Sequence, residues 1–214
     1  RIASALLFLG APACLFGRLA EAGEHLQRAV ATAEETGDLS LVYISLGFLG
    51  HWHGQRQELA QANECLDRAL TIAAELEALL YVSMLEAFRA ETEIKEGLFE
   101  KALTRATRAA QMAKETRQQG CEAQAHRVLG WALYYGQPDS RDGAEAAFRE
   151  AVAIQERIGE RISLARTLYE LSDFLQGIGK TSASNKPRAA ADALKQELSL
   201  QWLPMPSPTP ALAT

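Results

Sequence analysis

Small and large apolar residues recur along this chain in a fixed helical frame. Ala22, Leu26 and Ala29 occupy it first, then Ala62, Leu66 and Ala69, then Ala102, Ala106 and Ala109, then Ala144, Phe148 and Ala151. The first alanines of the trios are 40, 40 and 42 residues apart, and a further 40 beyond Ala151 reaches Ala191. Spacings of four and then three residues put each trio on one helical face. Two small side chains there admit a neighbouring helix while the larger one fills the groove between them.

A second helix-compatible stretch precedes each trio. It is marked by Leu9-Gly10, Leu46-Gly47, Leu129-Gly130 and the looser Leu171-Ser172, whereas the third unit has Arg89-Ala90 at that place. Gly17, Gly97 and Gly179 punctuate the turns inside units. Gly37-Asp38, Gly120 and Gly159-Glu160 punctuate the turns between them, where glycine suits a helix C-cap. The pattern predicts helix pairs at about 2–16/18–36, 39–53/57–76, 79–96/98–118, 121–135/140–158 and 161–177/187–200. No segment sustains a period-two alternation of β-branched residues, so no strands are expected. The domain predicted is 1–203, followed by a proline-rich, disordered tail at 204–214, because proline lacks an amide donor and breaks helices.

These residues resemble the tetratricopeptide repeat (TPR) superfamily, whose pattern asks for Leu-Gly in helix A and Ala, a large residue and Ala along helix B. Leu129-Gly130 with Ala144, Phe148 and Ala151 matches it, as does Leu46-Gly47 with Ala62, Leu66 and Ala69. The period near 40 exceeds the usual 34 or so. HEAT and armadillo arrays share that longer period and stand as the alternative. The resemblance implies an all-α, TPR-like right-handed superhelix of about five helix-turn-helix repeats. Longer helices of this kind look like the C-terminal TPR regions of large bacterial signalling ATPases, and the stretch from Pro138 to Gly179 is similar to the ends of adenylate-cyclase-type members.

Composition narrows the function more than the fold. The chain has 214 residues, 48% of them hydrophobic and 23% charged, with a net charge of −5. That is too apolar for disorder and too acidic for a dedicated nucleic-acid binder, which needs a basic excess to displace counterions. Cys14, Cys65 and Cys121 are sparse and unpaired in spacing, which fits free thiols in the cytoplasm. The longest apolar run, Ala5 to Phe16, is shorter than the roughly 20 residues a bilayer span requires and contains Pro12. No membrane role follows. The chain opens on Arg1 with no initiator Met, which predicts a fragment of a larger multidomain protein.

Chemistry-bearing motifs are few. GIGKT at Gly177–Thr181 has the shape of a phosphate loop, but the glycine required five residues before Gly-Lys is Phe174, and the preceding element reads as helix. His51 and His53 flank Trp52 and diverge on a helix, so they do not chelate one metal together. Glu34-Glu35 and the set Glu91, Glu93 and Glu96 read as solvated helix faces. Lys101, Arg105 and Arg108 form a stripe on a second helix, read as exposed to solvent. No nucleophile–base constellation stands out, so no enzyme, cofactor or metal is expected.

The TPR resemblance implies an inner, concave face lined by first helices. It places there Phe48, His51 and Trp52 from the second unit, and Glu91 and Lys95 from the third. The fourth unit adds Arg127, Trp131, Tyr134 and Tyr135, and the fifth adds Arg166, Tyr169 and Asp173. Aromatic rings with polar tips and forked guanidinium groups suit a peptide, protein or small ligand, or other domains of the parent protein. The same side chains also suit packing between neighbouring repeats, Phe48 and Trp131 above all. The expected function is a non-catalytic interaction or effector-sensing module. The alternative is a structural spacer or dimerisation element, because residues 2–16 are apolar on nearly every side and call for cover through self-association or an adjoining repeat.

Overall fold

The computed structural model describes residues 1–137 and 139–201; the proline-rich stretch 204–214 lies outside them. Ten α-helices form five consecutive hairpins, and no strand occurs among the described residues. They are α1 (Ile2–Leu15) with α2 (Leu19–Glu35), α3 (Leu39–Gln55) with α4 (Leu59–Glu75), and α5 (Val82–Lys95) with α6 (Phe99–Glu115). The last two hairpins are α7 (Gln119–Gly136) with α8 (Arg141–Ile158), and α9 (Arg161–Gly177) with α10 (Thr181–Glu197).

The alanine trios lie at the heart of the hairpins. Every one of their alanines is fully buried, and so are Leu26, Leu66 and Phe148 between them. A Cβ at Gly10 would press into Leu26, one at Gly50 into Leu66, and one at Gly130 into Phe148. These are the close crossings that hold each first helix against its own second helix. They also correct the register of the second unit. Gly50, not Gly47, is the counterpart of Gly10, because Gly47 abuts Leu85 of the following hairpin. With Ala90 and Ser172 in the same place, the step is 40 residues through the first four units. It is 42 into the fifth, because the turn after α7 is longer.

Other boundaries also differ from the sequence pattern. Helix α10 begins at Thr181 rather than 187, so Pro187 lies inside it. The proline ring there removes one amide donor without ending the helix, because Ser184 and Ala191 are anchored against α9 and Ser184 O accepts from Ser172 Oγ. Helix α5 starts at Val82, three residues late. Glu77 and Tyr81 both take left-handed φ, and Gln118 pins the intervening turn through Leu79 O and Tyr81 N. Gly120 is helical, and Arg117 supplies the left-handed residue of that turn. Gly17, Gly37, Gly97, Gly159 and Gly179 all have positive φ, as turns ending a helix require.

The apolar core is interrupted at the third hairpin. One cluster runs from Ala3 to Leu85 and another from Ala87 to Leu175, with Leu66, Met84 and Phe88 packed between them. Arg89 stands where other units carry leucine, and it donates to Asp67 of α4 at 2.8 Å. Arg105, expected in solvent, instead folds onto Glu86 and Glu93 of α5. Glu93 is therefore buried and neutralised, not a solvated acid. At the far end of the fold, the amide of Gln201 donates to Phe16 O at 2.9 Å, so the superhelix turns until its last described residue meets the first hairpin.

Candidate functional site

First helices line the inside of this turn, and three of them, α5, α7 and α9, contribute charge to one place. Arg127 of α7 reaches Glu170 of α9 through Nη1, with both oxygens at 2.8 Å, and reaches Glu91 of α5 through Nη2. Arg166 of α9 donates to the same two carboxylates, Glu170 Oε1 at 2.9 Å and Glu91 Oε1 at 2.8 Å. Two guanidinium and two carboxylate groups thus alternate in a closed ring. The indole of Trp131 completes Glu170 with a 2.6 Å donor. Arg127 is only 1% exposed, so this ring lies in a region of low dielectric where unpaired charge is costly.

Lys95 extends the ring from Glu91, 3.6 Å away, and donates to Gly54 O of α3 at 2.8 Å. His51 of α3 stacks on Phe88 with ring centroids 4.0 Å apart, while its Nε2 lies 2.7 Å from Gln55 Nε2. The protonation states follow from this placement. Burial pushes the Glu91 carboxyl up, but Arg166, Arg127 and Lys95 outweigh it and hold the group well below the ordinary carboxylate range. Burial opposes the charge of Arg166, but Glu91 and Glu170 outweigh it and raise its pKa. Lys95 moves the other way, because burial outweighs Glu91 and Arg166 and Arg127 repel its charge. His51 is pushed down to about 3 by burial, helped by Arg166 and Lys95 and opposed by Glu91, so its ring is neutral. Cys14 of α1 also feels Arg166, Glu91 and Lys95, and burial raises its thiol to about 12.

The structure brings together Glu91, Lys95, Arg127, Trp131 and Arg166 of the residues expected on the inner face. Tyr135 stacks on Trp131 and Phe99, and Tyr134 meets Trp131 and Phe174 edge-on. Burial raises the Tyr135 hydroxyl pKa, so that phenol is a neutral donor. Tyr169 lies under the Arg188 guanidinium, which also pairs with Asp173. Phe48 is half-buried and meets Phe88 edge-on. Trp52 goes elsewhere: it packs over Gly23 of the preceding hairpin and donates to Leu19 O at 2.6 Å. Glu170 was missed from the sequence. Its register position holds Phe48, Phe88 and Val128 in other units, which marks it as packing, and the signal was an acid at that apolar place four residues after Arg166.

The weaker motifs make local ion pairs. Lys180 of the GIGKT stretch pairs with Glu145 at 2.7 Å, between two helices. His53 Nδ1 lies 2.6 Å from Glu58, and no group of three or more His, Cys, Asp or Glu side chains able to hold a metal occurs among the described residues. No helix among them is long and apolar enough to cross a membrane.

No family model matches the chain, and no curated protein matches it. Solved structures do. A Rap protein complexed with Competence and Sporulation Factor superposes with a TM-score of 0.74 at 18% identity, covering 89% of this chain and 52% of that one. The apo form of RapI gives 0.68 at 14%, covering 85% and 64%. The nearly identical TPR-like repeats of a Podosopora anserina kinesin-light-chain-type protein give 0.57 at 16%, covering 92% and 97%. The architecture is an all-α TPR-like superhelix. At these identities the likeness shows fold alone, and the chain spans about half the length of the Rap protein it matches.

Proposed function

We propose that the chain is a non-catalytic interaction module that holds a peptide or protein segment against the inner face of its superhelix. The observation that best supports this reading is the charge balance around the ring. Arg127, Arg166 and Lys95 face Glu91 and Glu170, leaving one buried cation in excess, and burial opposes the charge of Lys95. A carboxylate on a ligand would complete that balance, while Tyr135, at the same register on α7, offers ring area and a donor. The likeness to a Rap protein complexed with a factor is compatible with it. The similarity of the stretch from 138 to 179 to cyclase-linked signalling ATPases supports a place within a multidomain bacterial signalling protein. The sparse free thiols fit the cytoplasm.

Selection of a random-peptide phage library on the full chain tests this. Enriched peptides should carry Asp, Glu or a free C-terminus, slow amide exchange in α5 and α7, and bind at least about tenfold more weakly to Lys95→Met. Binders that ignore Lys95→Met and protect only second helices would sink the proposal. One observation favours a second reading, a structural spacer: Arg127 spends its donors within the chain, on Gln124, Glu170 and Glu91. That reading expects no inner-face binders from the same selection.

A further inference from the structure

We infer that the superhelix is two rigid bodies, the first two hairpins in front and the last three behind, hinged between Ala78 and Leu79 and latched where Leu85 enters a notch at Gly47. On the inner-face reading proposed above, the opened seam is a segment's way to the ring; the hinge itself rests on the packing alone. Each body has its own core. The front cluster is built from α1 to α4 and takes one fully buried side chain from α5, Leu85, whereas the rear cluster starts at Ala87 and runs to α9. In front, Trp52 of α3 packs over Gly23 and donates to Leu19 O of α2. Behind, the alternating ring of Glu91, Arg127, Glu170 and Arg166 ties α5, α7 and α9 together by buried charge.

The seam between the bodies is held differently. Arg89 donates to Asp67 and Asn63 to Glu96, both at the surface, where water replaces such pairs at little cost. Tyr43 donates to Leu80 O at 3.1 Å and Lys95 to Gly54 O at 2.8 Å. Apolar cover is narrow: Met84 and Phe88 rest on Leu66 and Phe48, and Leu85 fits against Gly47. A Cβ at position 47 would stand 2.0 Å from Leu85 Cδ2 and would touch no other helix. The connection allows the motion. Six residues, 76–81, join α4 to α5, where the other turns between hairpins, 36–38, 116–118 and 159–160, take three, three and two. The amide of Ala78 closes α4 on Ala73 O, whereas Gln118 of the rear body holds Leu79 O and Tyr81 N. Front and rear therefore part between Ala78 and Leu79. Glu77 and Tyr81, on either side, have left-handed φ of 48° and 62°, uncommon for residues with side chains. Hinges are built from a few loop residues of this kind that absorb changes in φ and ψ. Opening lifts Gly54 O off Lys95 and His51 off Phe88, which bares an edge of the ring where Glu91 is now only 4% exposed.

Thiol trapping tests this. Thr92 of α5 lies on the seam beside Gly54 and is buried; Ala132 of α7, one 40-residue step later, is its buried counterpart inside the rear body. Ala73 of α4 is buried in the front core. Thr92→Cys, Ala132→Cys and Ala73→Cys are made in separate chains, and alkylation by N-ethylmaleimide is followed at each position by peptide mass spectrometry. Position 92 should react at least about tenfold faster than positions 132 and 73, because opening of the seam exposes it while both cores stay folded. Gly47→Ala added to each chain should speed position 92 at least about tenfold again and leave the other two unchanged. A position 92 no faster than the other two overturns the hinge. A Gly47→Ala chain in which position 92 is no faster, or in which positions 132 and 73 accelerate with it, overturns the latch. No peptide is present in these reactions, so the inner-face reading is left to its own selection.

Discussion

Acid should unfold this protein earlier than its carboxylates alone would require, and His51 is the reason. In the unfolded chain the imidazole titrates near 6.5; in the fold it is pushed down to about 3, chiefly by burial, with Arg166 and Lys95 adding to the shift and Glu91 opposing it. Between those two values the unfolded state binds one proton more than the folded state. Stability therefore rises with pH across that window, is complete above 6.5, and is lost as pH falls toward 3. The slope is about 1.4 kcal/mol per pH unit, so about 2 kcal/mol should disappear between neutral pH and about pH 5. Glu91 does not contribute there. Its carboxyl lies well below its ordinary 4.5, so its share is full above 4.5 and is lost only at lower pH. Urea unfolding followed by far-ultraviolet circular dichroism, on the parent and on His51→Gln, separates the effect from other histidines. Loss of the stack on Phe88 should lower the variant by about 0.5–1.5 kcal/mol at every pH, but its fall between pH 7 and about 5 should be smaller by about 2 kcal/mol. If both chains lose equal stability over that interval, the neutral, buried His51 is wrong.

Three further substitutions probe the packing. Arg127→Ala should cost about 3–5 kcal/mol in chemical unfolding by stranding Glu91 and Glu170, while Arg127→Met combined with Glu170→Leu should recover part of that loss. Gly23→Ala should cost about 1–3 kcal/mol, because its methyl would overlap the Trp52 ring; the fall in melting temperature should be much smaller when Trp52 is also cut to Leu. Pro187→Ala should raise the melting temperature, since the alanine restores the amide donor missing inside α10 at a site where proline costs up to about 3 kcal/mol.

The repeat was legible because it rests on volume. An alanine that must be small to let two helices cross leaves the same mark in every unit, and the trios sit where their spacing put them. The Leu-Gly marker was a poorer guide. In α3 two glycines lie three residues apart, both forced by close contact, but one serves its own hairpin and the other the next. Only the neighbour's side chain tells them apart. The start of α10 was hidden for a similar reason: Pro187 reads as a stop until Ser184 and Ala191 are seen anchored against α9.

Charge was the least legible part, and this bears directly on what the inner face can do. Glu91 and Lys95 stand four apart, as do Arg166 and Glu170, and on any isolated helix such pairs are surface decoration worth a few tenths of a kcal/mol. Their meaning changes only because superhelical closure sets α5, α7 and α9 side by side and drives Arg127 between the two acids. A ring of that kind is weak evidence for stability, since well-packed apolar residues would serve as well or better. What it does provide is fixed direction. Glu91 and Glu170 are each tied to both arginines, so the groups beside them, Lys95 and the Trp131–Tyr135 stack, are held in place by the fold itself. Ordering costs at these positions have been met by folding, so under the proposed binding role they would not be charged again to a bound segment.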